Sequence, residues 1–375
     1  KKLIWFHAAS IGELKSIIPI IKYLNKNNYK YDFLITTTTL SSSNLTRDEF
    51  KSTNNIHHRF LPIDVHFIIK RFLKMWRPDV IFLVDSEIWP NLILLASKKK
   101  IPLGLINARI TNKTFKKWNF FSNTAKKIFS LFDFCLASNL ETKKYLQSFN
   151  ARNIFYKGNL KFFKKKMSRR KSLNDKYLKK NRFWLAANTH NGEEISCINA
   201  HIKLKKEFKS LVTIIAPRHI HRSNKIKKLC EKFNLNTQVL DKNDLILSKK
   251  EVIIINSFGV LTNYYRRAKS VFIGKSILKR FEKDGGQSPI EAAMCGCKIY
   301  HGPYIYNFKE VYNILNKKKF SNQIYNSTDL VKNLIIDFKK LKKDSNKILL
   351  MEKLAKKIFN DNIKCIDNFL IDAIN

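Results

Sequence analysis

Three stretches combine a helix-start pattern with residues able to do acid–base or anion chemistry. The first is Ser10-Ile11-Gly12-Glu13, directly after the apolar run Lys2–Ala8. Ser followed three residues later by Glu is a capping box, which satisfies two backbone N–H groups left open at a helix start. The same residues have a chemical reading: Gly12 lets a substrate approach the backbone, and Glu13 points into the cleft as a general base. The second stretch is Asn188-Thr189-His190-Asn191-Gly192-Glu193-Glu194. Asn191 with Glu194 forms another possible capping box there, and open helix N–H groups attract anions. The third is Gly285-Gly286-Gln287-Ser288-Pro289-Ile290-Glu291. Ser288 reads as an N-cap, Pro289 as the first helical position and Glu291 as the third. The glycine pair frees the backbone to wrap a phosphate, but the spacing is not that of a P-loop.

Two further stretches end strands. Asp85-Ser86-Glu87-Ile88-Trp89-Pro90-Asn91 clusters acidic and aromatic residues, with a helix cap as the rival explanation. Ala216-Pro217-Arg218-His219 offers a guanidinium suited to bidentate phosphate binding. His219 and His221 have no third ligand at fixed spacing, so no metal site is expected. The six cysteines lack a CxxC pair, and Cys295-Gly-Cys297 reads as core thiols in a reducing compartment. No Ser-His-Asp order, nucleophile elbow or GxGxxG fingerprint appears.

Positioning these residues requires strands that end in loops. Short apolar runs such as Tyr31–Thr38, Asp79–Val84 and Pro102–Asn107 alternate with helical spacing such as Leu14–Leu24 and His66–Met75. That rhythm predicts βα units on parallel sheets. It restarts at Arg182–Ala187 and continues through Ile195–Phe208, Ser210–Ala216, Glu251–Asn256, Ser270–Ile273 and Lys298–His301, and Thr328–Ala373 reads as helical throughout. The expected fold is α/β, with two doubly wound Rossmann-like domains facing a central cleft: residues 1–159, a basic linker or exposed helix at 160–181, and residues 182–375 with the C-terminal helices. Ligands in such sheets bind beyond the carboxyl ends of the strands.

Across 375 residues the formal net charge is +43, while 44% of residues are hydrophobic. The second figure argues for a globular chain; the first favours anionic partners, although part of the Lys excess fits compositional drift on solvated faces. Clustered acidic residues at strand ends, and the absence of basic–aromatic interleaving, argue against nucleic acid as the partner. No apolar run approaches the roughly 20 residues that span a bilayer. The chain opens on Lys1-Lys2 without Met, which leaves room for a preceding segment.

Taken in order, eight motifs resemble the 3-deoxy-manno-octulosonic acid (Kdo) transferases, a GT-B glycosyltransferase family. They are WFHAASIGE (Trp5–Glu13), VDSEIWPNLI (Val84–Ile93), INARI (Ile106–Ile110), GNLKF (Gly158–Phe162), THNGEE (Thr189–Glu194), PRH (Pro217–His219), GGQSPIEAA (Gly285–Ala293) and GPYIYNFKE (Gly302–Glu310). The resemblance implies an inverting, metal-independent enzyme without a cofactor, moving Kdo from CMP-Kdo onto a lipid A precursor at the cytoplasmic face of the inner membrane. Attachment there would be peripheral or N-terminally anchored, on an anionic lipid surface. Glu13 matches the catalytic base, and Glu87 and Lys161 match groups that steady the transition state. Substrate contacts are implied at Ser10, Gly12, Pro217, Arg218, Phe258, Gly259, Val260, Gly274, Ser276, Gly286, Ser288, Pro289, Ile290, Glu291 and Asn307. Three departures stand out. Gln287-Ser288 replaces the family's His-Asn, Val260 replaces an acidic residue, and Lys275 replaces the middle glycine of a Gly-Gly-Ser turn. Another GT-B transferase or epimerase using a uridine nucleotide sugar is the alternative, with a basic nucleic-acid-binding protein behind it.

Overall fold

The computed structural model describes residues 1–27, 30–163, 173–339 and 345–374. The chain divides into two compact units: residues 1–167 with 354–375, and residues 168–353.

The first unit carries strands β1 (Lys2–His7), β2 (Tyr31–Thr37), β3 (Ile56–Phe60), β4 (Val80–Val84), β5 (Leu103–Ala108), β6 (Phe134–Ala137) and β7 (Ile154–Tyr156). All pairings are parallel, in the order β3-β2-β1-β4-β5-β6-β7. Successive side chains on a strand point to opposite faces, and both faces here are covered. Ile4, Phe6, Phe33, Phe82 and Val84 pack with the helix Ile11–Asn27 on one side. Trp5, Leu34, Ile81 and Leu83 pack against Phe72, Leu92 and Phe129 on the other. Burial on both faces explains why these strands read as apolar runs without alternation.

The second unit repeats the plan with β8 (Phe183–Thr189), β9 (Val212–Pro217), β10 (Thr237–Leu240), β11 (Val252–Ile255), β12 (Ser270–Ile273), β13 (Lys298–His301) and β14 (Ser321–Gln323). Its parallel order is β10-β11-β9-β8-β12-β13-β14. Trp184, Ile215, Ile254 and Phe272 pack with Leu204 and Leu334. In each unit the first strand lies centrally, with its sequence neighbour on one side and a later strand on the other. That places a topological switch point between β1 and β4, and another between β8 and β12.

The domain boundaries differ from those expected. The helix Ser345–Ile374 is long, and residues 354–375 belong to the first unit, not the second. The cause is a stripe of Phe359, Ile363, Ile366 and Leu370 buried in the β1 face core. Each such side chain contributes about 1.5–3 kcal/mol by leaving water. The stretch 160–181 is only partly a linker. Leu160 and Phe162 are buried in the first unit, while Asp175 in the second accepts two hydrogen bonds from Arg267 at 2.9 and 2.8 Å. Residues 164–172 of that stretch lie outside the described residues. The helix expected across 328–373 is described as Ser327–Lys339 and Ser345–Ile374, with 340–344 outside the described residues.

Candidate functional site

At the first unit's switch point, β1 ends in His7 and β4 ends beside Asp85 and Glu87. Ser10 and Glu13 form the predicted capping box. Glu13 accepts from Ala9 N at 2.8 Å and Ser10 N at 3.3 Å, and the Ser10 hydroxyl donates to its other oxygen at 2.8 Å. Glu13 N returns a bond to Ser10 Oγ at 3.3 Å. The cap and the chemistry do not exclude each other. Burial pushes the Glu13 carboxyl above its usual value; the Ser10 hydroxyl pulls it down, and the charges of Asp85 and Glu87 push it up again. A helix N-terminus alone would have made it more acidic. Gly12 is exposed, and a Cβ there would have only Ser10 Oγ nearby, at 3.8 Å.

The acidic cluster after β4 is not a helix cap. The helix Pro90–Lys98 is capped instead by Asp64, which accepts from Asn91 N and Leu92 N at 3.0 and 2.9 Å. Glu87 Oε2 lies 3.2 Å from His7 Nε2 and accepts from Trp89 Nε1 at 2.9 Å. Lys161, on a single turn of 3-10 helix (Leu160–Phe162), donates to Asp85 Oδ2 at 2.6 Å. Glu13, Glu87 and Lys161 thus come together at the carboxyl end of the sheet. Asp85 and His7, their partners, were given no role of their own in the sequence reading. Asp85 sits inside a quoted motif, and its charge beside Glu87 was the available signal. Buried His7 reads as part of an apolar strand.

The second unit's switch point gathers the other stretches. Gly192 adopts a φ of 89° and precedes the helix Glu193–Lys205. The expected Asn191/Glu194 capping box does not form, because Glu194 is taken by Arg222: Nη1 to Oε1 at 2.9 Å and Nη2 to Oε2 at 3.0 Å. Glu193, fully buried, instead collects the backbone N–H groups of His190, Lys275, Ser276 and Ile277 at 2.7–3.3 Å. This carboxylate fixes the turn after β12 against the turn after β8. Lys275 adopts a φ of 58°, the left-handed region that a glycine at this position would take without strain. Its ammonium donates to Asp284 at 2.8 Å.

His190 is pushed down to about 4 by burial first, then by Lys275, His219, Arg222 and Arg218. Its ring meets His219 edge-on at 5.6 Å, and Gln287 donates to its Nε2 at 3.3 Å. Such a set of cationic and ring N–H groups suits an anion of two or more oxygens. Arg218 is exposed, and its side chain makes no hydrogen bond or ion pair among the described residues. Its backbone N–H ties to Thr189 O at 3.0 Å, beside buried Pro217.

The remaining expected contacts separate into exposed and structural positions. Phe258 is 67% exposed, Gly259 has a φ of 78°, and Val260 lines a cavity of about 180 Å³ with Asp241, Asn263 and Tyr264. Gly274 is buried, and a Cβ on it would stand 2.4 Å from Asn188 O. Ser276 is fully buried, and its hydroxyl is committed to Ile273 O at 2.6 Å and Gly302 N at 2.9 Å. Ser288 does not cap the third helix start. The helix Ile290–Met294 begins after Pro289, without a side-chain cap. Ile290 is core, Glu291 lies in the first turn, and Gly286 turns at a φ of 91°. Asn307 N donates to Gly285 O at 2.8 Å, bracing the glycine pair. Cys295 and Cys297 are buried free thiols, and the latter points at the Tyr265 and Ala268 carbonyls. Among the described residues there is no group of three or more His, Cys, Asp or Glu side chains able to hold a metal.

Comparison with known proteins gives a consistent result. Residues 1–164 match the family model of 3-deoxy-D-manno-octulosonic-acid transferase (kdotransferase). The chain is 32% identical to a probable mitochondrial 3-deoxy-D-manno-octulosonic acid transferase of Arabidopsis thaliana, over 82% of this chain and 70% of that one. It is 30% identical to the 3-deoxy-D-manno-octulosonic acid transferase of Rickettsia prowazekii, over 98% and 80%. Among solved structures, a glycosyltransferase of Rickettsia africae aligns over 100% of this chain and 99% of its own, with a TM-score of 0.62 at 14% identity. A UDP-GlcNAc 2-epimerase of Neisseria meningitidis aligns over 99% and 100%, with a TM-score of 0.64 at 14% identity. These structures share the fold.

Proposed function

The chain belongs to the Kdo transferase family, and we propose that it moves Kdo from CMP-Kdo to a hydroxyl of a lipid A precursor, with inversion at the transferred carbon. It is a glycosyltransferase of GT-B fold with Kdo transferase relatives. The observation that carries the finer reading is the group at the β1/β4 switch point: a carboxylate raised by burial, Glu13, beside Glu87 and the Asp85–Lys161 pair.

An alcohol is a poor nucleophile until a base removes its proton, and the raised carboxyl of Glu13 brings it nearer the useful range. Among the described residues its Oε1 has only the rotatable Ser10 hydroxyl as partner, which can turn away for a substrate proton. Loss of CMP leaves positive character on a carbon that also bears a carboxylate. Fixed charges act on such a centre without reorganising. Glu87, held by the Trp89 indole N–H and facing His7 Nε2, suits the developing positive charge, and Lys161 suits the sugar carboxylate. In the second unit, the exposed Arg218 supplies donors for the departing phosphate beside the His190–His219 pair, while Arg222 and Lys275 are held by Glu194 and Asp284. No divalent metal enters these steps.

The acceptor would be reached at an anionic inner-membrane surface on the cytoplasmic side. Lys98, Lys99 and Lys100 are exposed, and so are Lys113, Lys116, Lys117, Lys126 and Lys127, which flank Phe120 at 82% and Phe121 at 63% exposure. Basic side chains around an apolar tip suit phosphate-bearing lipid. Among the described residues, no helix is long and apolar enough to cross a membrane.

Incubating the chain with CMP-Kdo and a tetraacyl lipid A precursor, with products read by mass spectrometry, tests the reading. Mass increments of one or more Kdo units are expected, with and without EDTA. Loss of product in EDTA with recovery in Mg²⁺ would overturn the metal-free mechanism. Thermal protection by UDP and not by CMP would overturn the donor.

A further inference from the structure

We propose that His7 is a positioning residue for Glu87, held as its Nε2–H tautomer by a hydrogen-bond chain that starts at Trp5. This rests on the reading above only in that Glu87 acts in transfer.

The protons along four side chains fix the tautomer. Trp5, Thr36 and His7 are all 0% exposed, so water supplies no partner. An indole N–H can only donate, and Trp5 Nε1 lies 2.8 Å from Thr36 Oγ1. The Thr36 oxygen is therefore the acceptor in that bond, and its own hydrogen must go elsewhere. Among the described residues the acceptor within reach is His7 Nδ1, at 2.9 Å. An Nδ1 that accepts carries no hydrogen, so in a neutral ring the hydrogen sits on Nε2. Nε2 faces Glu87 Oε2 at 3.2 Å.

The other neutral tautomer can be weighed against this. Nδ1–H would donate to the Thr36 carbonyl at 3.2 Å. The bare Nε2 would then meet a carboxylate oxygen, acceptor against acceptor, and the Thr36 hydroxyl hydrogen would lose its partner. A buried donor or acceptor left unmatched is costly, and this arrangement leaves two. The ring's other neighbour, Trp89, meets it edge-on at 6.0 Å and adds no competing charge. Trp89 Nε1 donates to the same Glu87 oxygen at 2.9 Å. Glu87 Oε2 thus receives two N–H groups, one from the end of β1 and one from the N-cap of the helix Pro90–Lys98. The carboxylate is pinned in rotation, and Oε1 remains for the reaction zone.

The tautomer is measured first, on the unaltered chain without substrate. Long-range ¹⁵N–¹H correlation separates protonated from bare ring nitrogens, and the His7 signals are assigned by their loss in His7→Gln. The expected pattern is Nε2–H with bare Nδ1. A ring protonated at Nδ1, alone or together with Nε2, overturns the proposal. Kinetics supply the second arm. Gln can place an N–H near the Nε2 position, while Asn reaches only the Nδ1 position. His7→Asn should lower kcat about 10–100-fold with KM little changed, as expected when a reacting group drifts by the order of 1 Å, and His7→Gln should restore most of it. Equal kcat values for wild type, Asn and Gln would overturn the proposal. An unaltered chain that is inactive with CMP-Kdo but carries the Nε2–H ring would defeat the donor assignment and leave the positioning of Glu87 standing.

Discussion

Lys161 Nζ donates to Asp85 Oδ2 at 2.6 Å, and Asp85 holds that pose at a backbone φ of 63°. Left-handed backbone at a non-glycine residue costs on the order of 1–3 kcal/mol and persists where the surroundings fix it. Here Asp85 N donates to Ile106 O, and Arg109 N donates to Asp85 O, both at 3.0 Å. The carboxyl ends of β4 and β5 therefore set where the Lys161 ammonium stands. Asp85→Asn keeps the backbone preference and removes the charge. It should lower kcat by about tenfold or more, through a displaced lysine, and destabilise the unit by about 1–3 kcal/mol. Denaturant unfolding and steady-state kinetics check both, and an unchanged kcat would free Lys161 from dependence on Asp85.

Two glycines predicted to contact substrate should behave in opposite ways. Gly274→Ala puts a Cβ 2.4 Å from Asn188 O and 2.7 Å from Thr189 Cα, which are backbone atoms with little room to yield. A loss of about 1–3 kcal/mol is expected. Gly12→Ala meets only Ser10 Oγ at 3.8 Å and sits inside the helix Ile11–Asn27. It should gain about 0.4–1 kcal/mol through the unfolded chain. A raised KM in this stabilised variant would support substrate approach at Gly12. If KM and stability both stay put, Gly12 loses its assigned role.

His190 gives a pH signature. Its folded value of about 4 lies below the ordinary 6.5. Between those values the unfolded chain binds the proton and the folded chain does not, so stability falls as pH is lowered through that window. His201, also pushed down to about 4 by burial, adds the same sign. His190→Gln should flatten the urea-unfolding slope between pH 6.5 and 4 without abolishing it. An identical slope in the variant would mean that His190 titrates normally.

The strands were legible where apolar residues run unbroken, because burial on both sheet faces demands them. Ser270–Ile273 and Lys298–His301 fall on the residues read from the sequence. β14 (Ser-Asn-Gln) was not legible, since main-chain pairing with β13 forms it and its side chains say nothing of a strand. The C-terminal helix was legible as a helix but not by unit, because its apolar stripe does not reveal which core receives it. At the site, capping patterns succeeded at Ser10–Glu13, which are local in sequence. They failed at Asn191–Glu194 and Ser288, where an Arg 28 residues away and a proline at the N-cap decided the outcome. Pairings such as Asp85–Lys161, 76 residues apart, are set by strand order, which no short window contains.

Glu13→Gln separates the capping role seen at Glu13 from the base role proposed for it. As a cap, Glu13 accepts backbone N–H groups through Oε2 and the Ser10 hydroxyl through Oε1. A glutamine carbonyl can take the first role, and its amide can donate to a turned Ser10 hydroxyl, so the capping box survives. Stability should move by a few tenths of a kcal/mol, roughly the difference between two acceptable capping residues. As a base, Gln cannot take a proton, and transfer should drop about 10²–10⁴-fold. The pH dependence adds an independent check. Because burial raises Glu13 above its ordinary 4.5, the wild-type rate should begin to fall, as pH is lowered, earlier than an exposed glutamate would allow. The sign follows from the base being inactive once protonated. Glu13→Gln should keep its residual rate flat across that limb. Ser10→Ala removes the hydroxyl that helps hold Glu13 ionised, so its limb should shift to higher pH, while lost capping costs about 1 kcal/mol. A Glu13→Gln enzyme with near-normal turnover would leave the capping box as the whole explanation of this motif.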